Sequence, residues 1–333
     1  MTTRTATSGP TPPGGPGTCS HGRPPANRLH TCRAKESDVL DRSPDRPSPT
    51  RWTCDRAGRA AALRPVRALA AAATVSAAFS FFLPSALTGA AVGNGNLRGT
   101  ALVVLLLGVP TLLIAVVGTS RGSTRWLVVW LGTLGYLLYQ AVLFCFATPL
   151  NGLFLCYVAY LGLGVWSVVT LFPAVDQHVF GSRLSTGMPV RFVAGFALSI
   201  AAMNAAVWLA AIVPALLRSD PASLMKGTGL LTNPVYVQDL AIWLPLLAAA
   251  AVACWNRRAW GLLVTGAMLV MLTLEGIGVA TDQWFGARAD PTSPAASMTM
   301  VPAFAALAVV TGTVLALYLH NVDRRQWGVG QAS

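Results

Sequence analysis

The sequence predicts an all-α fold, a polytopic transmembrane helical bundle of about eight spans behind a disordered N-terminal tail. Of its 333 residues, 54% are apolar and only 11% are charged, whereas about 25% of the residues in a typical soluble domain are charged. The mean hydropathy is positive, at +0.56. This composition excludes a disordered protein and disfavours a soluble globular one.

Eight apolar stretches are long enough to cross a bilayer. Crossing a hydrocarbon core of about 30 Å takes roughly 20 helical residues, because each residue adds about 1.5 Å. Backbone groups in lipid need partners within the chain, so stretches of this kind form helices. The predicted spans are 68–91, 100–118, 126–147, 152–173, 192–217, 234–255, 260–280 and 300–320. They define an eight-helix domain over residues 65–321.

The distribution of arginine predicts that both chain ends are cytoplasmic. Positive residues in short connections are retained on the cytoplasmic side, and eight spans place both ends on one side. That side holds Arg121, Arg125, Arg183, Arg191, Arg257, Arg258, Arg324 and Arg325, and the other holds Arg98, Arg218, Lys226 and Arg288. Lysine occurs only twice among the 24 basic residues, which is typical of a GC-rich bacterial genome. We therefore expect the bacterial cytoplasmic membrane.

Residues 1–64 are basic and rich in Pro, Gly and Arg, which predicts a disordered cytoplasmic tail. Their charged region is much longer than that of a secretory signal, so cleavage is not expected. A short cytoplasmic tail is also predicted at 322–333. The long tail has two interpretations: a solvated extension, or a segment attracted to anionic lipid headgroups at about 1 kcal/mol per basic residue. The predicted partner is the lipid bilayer and not nucleic acid, and the sequence indicates no protein partner.

Four residues of the tail combine the ligand types that zinc prefers, namely Cys19, His21, His30 and Cys32. Zinc ligands are usually paired with two to five residues between them, whereas here only one residue intervenes in each pair. The sequence therefore assigns no metal site, and metal binding by these four residues stays an alternative.

Sequence motifs for catalysis are weak. Ser223-Leu224-Met225-Lys226 fits the S-x-x-K pattern, but the partner motifs of that catalytic class are missing. Neither the phosphate-binding G-x-x-x-x-G-K-[ST] nor the zinc-binding H-E-x-x-H pattern occurs. We therefore expect no enzyme activity, no catalytic residues and no cofactor.

Polar residues inside the spans are the candidates for function. An ionisable side chain in a span costs about 2.5 to 3.5 kcal/mol on insertion scales, so it normally faces the bundle interior or a wet cavity. Residues from five spans are predicted near one outer depth: Glu275, Asp282, Asp239, Tyr236, Gln238, Gln140, Tyr139, Asn151 and, nearer the midplane, Asn204.

These residues predict an outward-facing polar vestibule. Asp282 follows Glu275 by seven residues, which places both on one helix face. Asn233 and Pro234 predict a capped helix start that sets Asp239 in the first turns of the sixth span. Glu275 and Asp239 are the candidate proton-exchanging or cation-binding carboxylates. The alternative is that the polar set pairs with tyrosines, backbone and water to hold the bundle together.

A faint internal repeat accompanies this set. Displaced by 135 residues, Pro110 coincides with Pro245, and Gln140 coincides with Glu275. Spans one to four and five to eight would then be parallel repeats, an arrangement found in transporters. Against transport, the sequence shows no clear pair of glycine- or proline-broken spans in matching positions.

Three segments carry a resemblance to a known group of proteins. Residues 151–155 (NGLFL), 233–239 (NPVYVQD) and 257–261 (RRAWG) resemble segments of a family of uncharacterised multi-pass bacterial integral membrane proteins. The resemblance extends over residues 66–320, and it implies the membrane fold and no activity.

Two functions are compatible with the sequence. In the first, the protein moves or binds a small solute or cation through the outward-facing polar cluster. In the alternative, it is a non-transporting membrane scaffold or sensor with a basic cytoplasmic tail. The substrate, the oligomeric state and the role of the tail do not follow from the sequence.

Overall fold

A computed structural model describes residues 56–83, 85, 87–218 and 225–323. Nearly all of the predicted N-terminal tail lies outside these residues, and so do its cysteine and histidine residues, the start of the S-x-x-K motif at Ser223, and the final arginines. The predictions for those segments stay predictions.

Eight helices are long and apolar enough to cross a membrane, as predicted. We number them span 1 to span 8 in chain order, and their bounds are Arg56–Phe82, Ala91–Ser120, Thr124–Phe146, Phe154–Ala174, Val190–Arg218, Pro234–Trp255, Ala259–Ala289 and Met300–His320. The apolar part of span 1 is Leu63–Phe82. A short helix, Gln177–Ser182, lies between spans 4 and 5.

Three spans differ in extent from their predicted bounds. Span 1 ends at Phe82 rather than 91, because the residue before a proline is disfavoured in a helix and Leu83 precedes Pro84. Span 2 begins at Ala91 rather than 100, although its first turns are rich in glycine and asparagine. Span 7 continues to Ala289 rather than 280, so that Asp282 lies within the helix.

Spans 3 and 7 form the centre of the bundle. In the most apolar stretch of each span, 83% of the residues of span 3 and 72% of those of span 7 are buried, compared with 11% in spans 5 and 8. Span 7 packs against spans 2, 3, 6 and 8. The polar residues of these two central helices are therefore held inside the protein.

Glycine permits close contact between the central helices. An added Cβ atom at Gly132 of span 3 would clash with the backbone carbonyl group of Ala267 in span 7. At Gly99 of span 2, an added Cβ atom would lie 2.7 Å from the Cα atom of Asp282. Small residues that bring helices together are typical of membrane bundles. Here they place spans 2 and 3 directly against span 7.

The arginine-bearing connections meet at one end of the bundle. The backbone N–H of Ser185 donates to the carbonyl oxygen of Asn321, and the N–H of Asp323 donates to that of Arg183. The Nε atom of Arg125 donates to the carbonyl oxygen of Val322 over 2.8 Å. The connection between spans 6 and 7 lines a shared cavity of about 720 Å³ with the segment after span 4. The sequence predicts that these connections share one side of the membrane.

Candidate functional site

The central contact of the site joins spans 3 and 7. The side-chain Nε2 atom of Gln140 donates a 2.6 Å hydrogen bond to Oε2 of Glu275. Gln140 is 1% exposed, and Glu275 is partly buried. A charge-assisted bond of this kind satisfies one oxygen of a carboxylate that would otherwise be costly inside a membrane.

A second carboxylate lies two helical turns further along span 7. Asp282 accepts hydrogen bonds from the Thr100 hydroxyl group, at 3.0 Å to Oδ1 and 3.1 Å to Oδ2. Thr100 belongs to span 2 and is buried. The close approach at Gly99 permits this contact, because Gly99 and Thr100 are adjacent on the same helix.

The third carboxylate belongs to span 6. Asn233 caps this span, and its Oδ1 atom accepts a 2.9 Å hydrogen bond from the N–H of Val235, which confirms the predicted helix start. Asp239 then lies on the second turn, where it is 6% exposed. Its Oδ2 atom accepts a 2.8 Å hydrogen bond from the Trp208 indole N–H of span 5. Trp208 also packs on the Tyr236 ring, with 5.1 Å between centroids.

The three carboxyl groups act on one another. Glu275 interacts electrostatically with both Asp282 and Asp239. Tyr139 of span 3 interacts with Glu275 and Asp239. Negative charges that reinforce one another in a poorly solvated interior attract a cation or proton into their midst.

Two oxygen atoms beside the central pair are buried without a partner. Among the described residues, the Tyr136 hydroxyl group and the Oε1 atom of Gln140 have no hydrogen-bond partner. Tyr136 is fully buried and interacts electrostatically with Glu275. Buried polar atoms are nearly always satisfied by protein, water or ligand. The two oxygens therefore mark a place where a water molecule or a ligand belongs.

Two further unpartnered groups lie at the start of span 6. Within the described part of the chain, the Tyr236 hydroxyl group and the Nε2 atom of Gln238 lack a partner. The Oε1 atom of Gln238 accepts a 3.2 Å hydrogen bond from the Trp243 indole N–H. Both residues are nine-tenths buried or more, so the unsatisfied polar groups extend from the central pair toward span 6.

Two π-helical turns border the site. One, Val104–Gly108, interrupts span 2, and the other, Asp239–Trp243, interrupts span 6. An added Cβ atom at Gly108 would lie 3.1 Å from the ring of Tyr136. The Trp243 ring lies 6.2 Å from that of Tyr139. π-Helical turns inside α-helices are rare and are frequent at functional sites.

The structure brings most of the predicted polar residues together. Glu275, Gln140, Asp282, Asp239 and their tyrosine neighbours form one connected region across spans 2, 3, 5, 6 and 7. Asn151 instead makes a local turn, since its Oδ1 atom accepts a 2.9 Å hydrogen bond from the N–H of Leu153. Among the described residues, neither Asn151 nor Asn204 donates a hydrogen bond to one of the three carboxyl groups.

Sequence reasoning missed Thr100, Trp208 and Tyr136. Threonine and tryptophan are ordinary residues in apolar helices, so nothing marks the two that face a carboxylate. Tyr136 precedes Gln140 by one helical turn on the same face, and that spacing was the only available indication. Among the described residues, no three His, Cys, Asp or Glu side chains are placed to hold a metal ion.

The fold and the site define a multi-pass, all-α protein whose eight apolar helices enclose a cluster of carboxyl groups. In comparisons with known proteins, no protein family, no curated protein and no solved structure matches this chain. The resemblance drawn from the three segments above therefore stays a prediction, and the argument for function depends on the site.

Proposed function

We propose that the protein binds or moves a small solute, specifically a cation or proton, through the polar site in a bacterial cytoplasmic membrane. The observation that supports this most directly is the Gln140–Glu275 pair with two unpartnered oxygens beside it. Those oxygens, together with the Glu275 carboxylate, offer hydrogen-bond acceptors and negative charge. Such a set suits a hydrated proton or a monovalent cation.

The depth of the site supports an outward-facing position. Glu275 lies 16 residues after the start of span 7 (275 − 259 = 16), which corresponds to about 24 Å along a helix. The same separation holds for Gln140 from the start of span 3 (140 − 124 = 16). Both helices start at the arginine-bearing end, and we propose that this end is cytoplasmic. The carboxylate pair then lies in the outer part of a hydrocarbon core of about 30 Å.

Flux into liposomes tests the proposal. Purified full-length protein is reconstituted, and entry of protons is followed with a trapped pH-sensitive dye and entry of Na⁺ and K⁺ with tracer ions. We expect flux above that of empty vesicles for the wild type and none for Glu275→Gln. Asp290→Asn is the matched control, because Asp290 lies beyond span 7 and hydrogen-bonds locally to Thr292. Wild-type flux that Glu275→Gln leaves unchanged would contradict the proposal.

A scaffold or sensor with a basic cytoplasmic tail is the second candidate. The observation that favours it is the run of basic residues that leads into span 1, which includes Arg64 and Arg67 close to its apolar part. A variant without residues 1–55 separates the two functions. Flux that persists without the tail supports transport, whereas absent flux with tail-dependent binding to vesicles of anionic lipid supports the second candidate.

A further inference from the structure

The turn between spans 2 and 3 recurs, bond for bond, between spans 6 and 7. In the first turn, three backbone N–H groups donate to carbonyl oxygens, in the pairs Arg121 to Val117, Gly122 to Thr119 and Ser123 to Gly118. In the second, the pairs are Asn256 to Val252, Arg257 to Cys254 and Arg258 to Ala253. Every donor and every acceptor is displaced by 135 residues, the separation between Gln140 and Glu275.

The backbone conformation of the two turns agrees as well. Gly122 has a φ angle of 93°, and Arg257, at the equivalent position, has a φ angle of 54°. A positive φ angle is uncommon for residues other than glycine. Arginine therefore occupies a conformation that glycine supplies in the other turn, which indicates that the geometry has been kept while the side chain changed.

The two π-helical turns obey the same displacement. Val104–Gly108 moved by 135 residues gives Asp239–Trp243, at both ends. The α-helical segments that follow, Val109–Ser120 and Leu244–Trp255, are displaced equally and carry Pro110 and Pro245 at equivalent positions. Well under 1% of residues in soluble proteins form π-helix. Two π-helical turns in register with two matching turns are poorly explained by coincidence.

Residues that agree between the two units are buried in both. The pairs are Leu112 with Leu247, Ala115 with Ala250, Leu127 with Leu262, Val129 with Val264, and Leu134 with Leu269. Equivalent positions thus have equal side chains and equal environments. The sequence shows no clear pair of broken spans, but the structure supplies one in spans 2 and 6.

Contacts between spans 3 and 7 reveal how the two units are related. Gly132 faces Ala267, its own equivalent, and eight residues later Gln140 bonds to Glu275, also its equivalent. Equivalent residues face each other at two heights only if the helices run parallel about a twofold axis between them. An isologous contact in a symmetric dimer has this property. Here both units belong to one chain.

We infer that residues 104–146 and 239–281 are two copies of one structural unit, related by an approximate twofold axis that passes between Gln140 and Glu275. The polar site is then a single site shared by the two copies, and Gln140 is the positioning counterpart of the acid. Its acidic group functions from either copy. This last statement rests on the proposed function, whereas the duplication does not. Spans 4 and 8 do not keep the displacement, so the duplication concerns the inner spans.

An exchange of the two side chains tests the inference. Gln140→Glu with Glu275→Gln moves the carboxylate across the axis and keeps the composition. Gln140→Glu alone places two carboxylates face to face. Glu275→Gln with Ala141→Glu is the matched control, because position 141 is one residue out of register. Each variant of the full chain is examined by thermal unfolding in detergent and by the proton, Na⁺ and K⁺ fluxes described above.

Thermal unfolding decides on the duplication without reference to function. We expect the exchange variant to unfold near the wild-type Tm, and Gln140→Glu alone to lose about 3 °C or more. An exchange variant that does not fold, or that unfolds as early as Gln140→Glu alone, overturns the inference, because the environments of the two positions are then not equivalent.

Flux decides on the shared site. We expect the exchange variant to recover flux to within about tenfold of the wild type, and the out-of-register control to recover none. A stable exchange variant without flux, where the wild type conducts, overturns the shared site and leaves the proposed function standing. If Glu275→Gln conducts like the wild type, the proposed function fails, the shared site fails with it, and unfolding alone decides on the duplication.

Discussion

The carboxylate of Asp323 caps span 3, a helix that begins 199 residues earlier in the chain. Its Oδ2 atom accepts hydrogen bonds from the backbone N–H of Thr124 at 2.8 Å and of Arg125 at 3.3 Å. Ser123, which precedes the helix, makes no side-chain capping bond. A negative charge at a helix N-terminus is stabilising. The C-terminal segment therefore locks one of the two central helices.

Removal of this cap should destabilise the protein. We expect Asp323→Ala to lower the free energy of unfolding by about 1 kcal/mol, within the range found for N-cap residues. Ser123→Ala is the control and should leave stability unchanged, although Ser123 occupies the usual capping position. Thermal unfolding in detergent measures both. Equal losses for the two variants would show that the bond to Asp323 does not stabilise span 3.

The close approach of spans 2 and 7 predicts opposite effects for two glycines of the same helix. At Gly99, an added Cβ atom would lie 2.7 Å from backbone of span 7, whereas at Gly93 nothing lies within 4 Å. We expect Gly99→Ala to cost about 1 to 3 kcal/mol through overpacking. Gly93→Ala should be neutral or stabilise by up to about 1 kcal/mol, because alanine favours helix. Unfolding in detergent distinguishes them, and equal effects would contradict the observed packing.

Two buried tyrosines separate a binding role from a purely structural one. Among the described residues, both hydroxyl groups are unpartnered, but only Tyr136 interacts with Glu275. We expect Tyr136→Phe and Tyr160→Phe each to retain stability or to gain about 1 kcal/mol, since an unsatisfied group is removed. Only Tyr136→Phe should reduce cation flux, by about tenfold. Loss of flux in both variants, or in neither, would remove the hydroxyl group of Tyr136 from the site.

The indole N–H of Trp208 predicts a stability effect at the third carboxylate. Trp208→Phe removes the 2.8 Å hydrogen bond to Asp239 and keeps an aromatic ring. We expect a loss of about 1.5 to 3 kcal/mol, the usual range for a hydrogen bond to a charged group. Trp166→Phe is the control, because Trp166 is 62% exposed on span 4. A Trp208→Phe variant as stable as the control would be evidence against this bond.

Hydropathy and helix caps predicted the eight spans, since both are local properties. Asn233 and Pro234 mark the start of span 6 by their own chemistry. Gly95 and Gly99 misled the prediction for span 2, because their role is to contact span 7 and a local pattern contains no information on neighbours. The continuation of span 7 past residue 280 was missed for the same reason: Asp282 ends an apolar run, yet it is tolerated in the helix beside Thr100.

The residues of the site could be predicted individually but not as pairs. Glu275 and Gln140 are unusual in apolar helices, so each stands out by its cost in lipid. Their contact depends on which helices are neighbours, and this is decided by tertiary packing. The displacement of 135 residues was visible at Pro110 and Gln140. The equal turns that strengthen it are properties of the backbone, which has no simple counterpart in sequence.

The hydrogen bond between Gln140 and Glu275 has a consequence for biogenesis. Because 135 residues separate the partners, the ribosome needs roughly 7 to 27 s, at 5–20 residues per second, to deliver the second after the first. Throughout that interval the amide group of Gln140 has no carboxylate to bind, so the nascent chain depends on the insertion machinery, on water or on its own backbone to shelter it. Completion of the bundle core is thus a late event in synthesis.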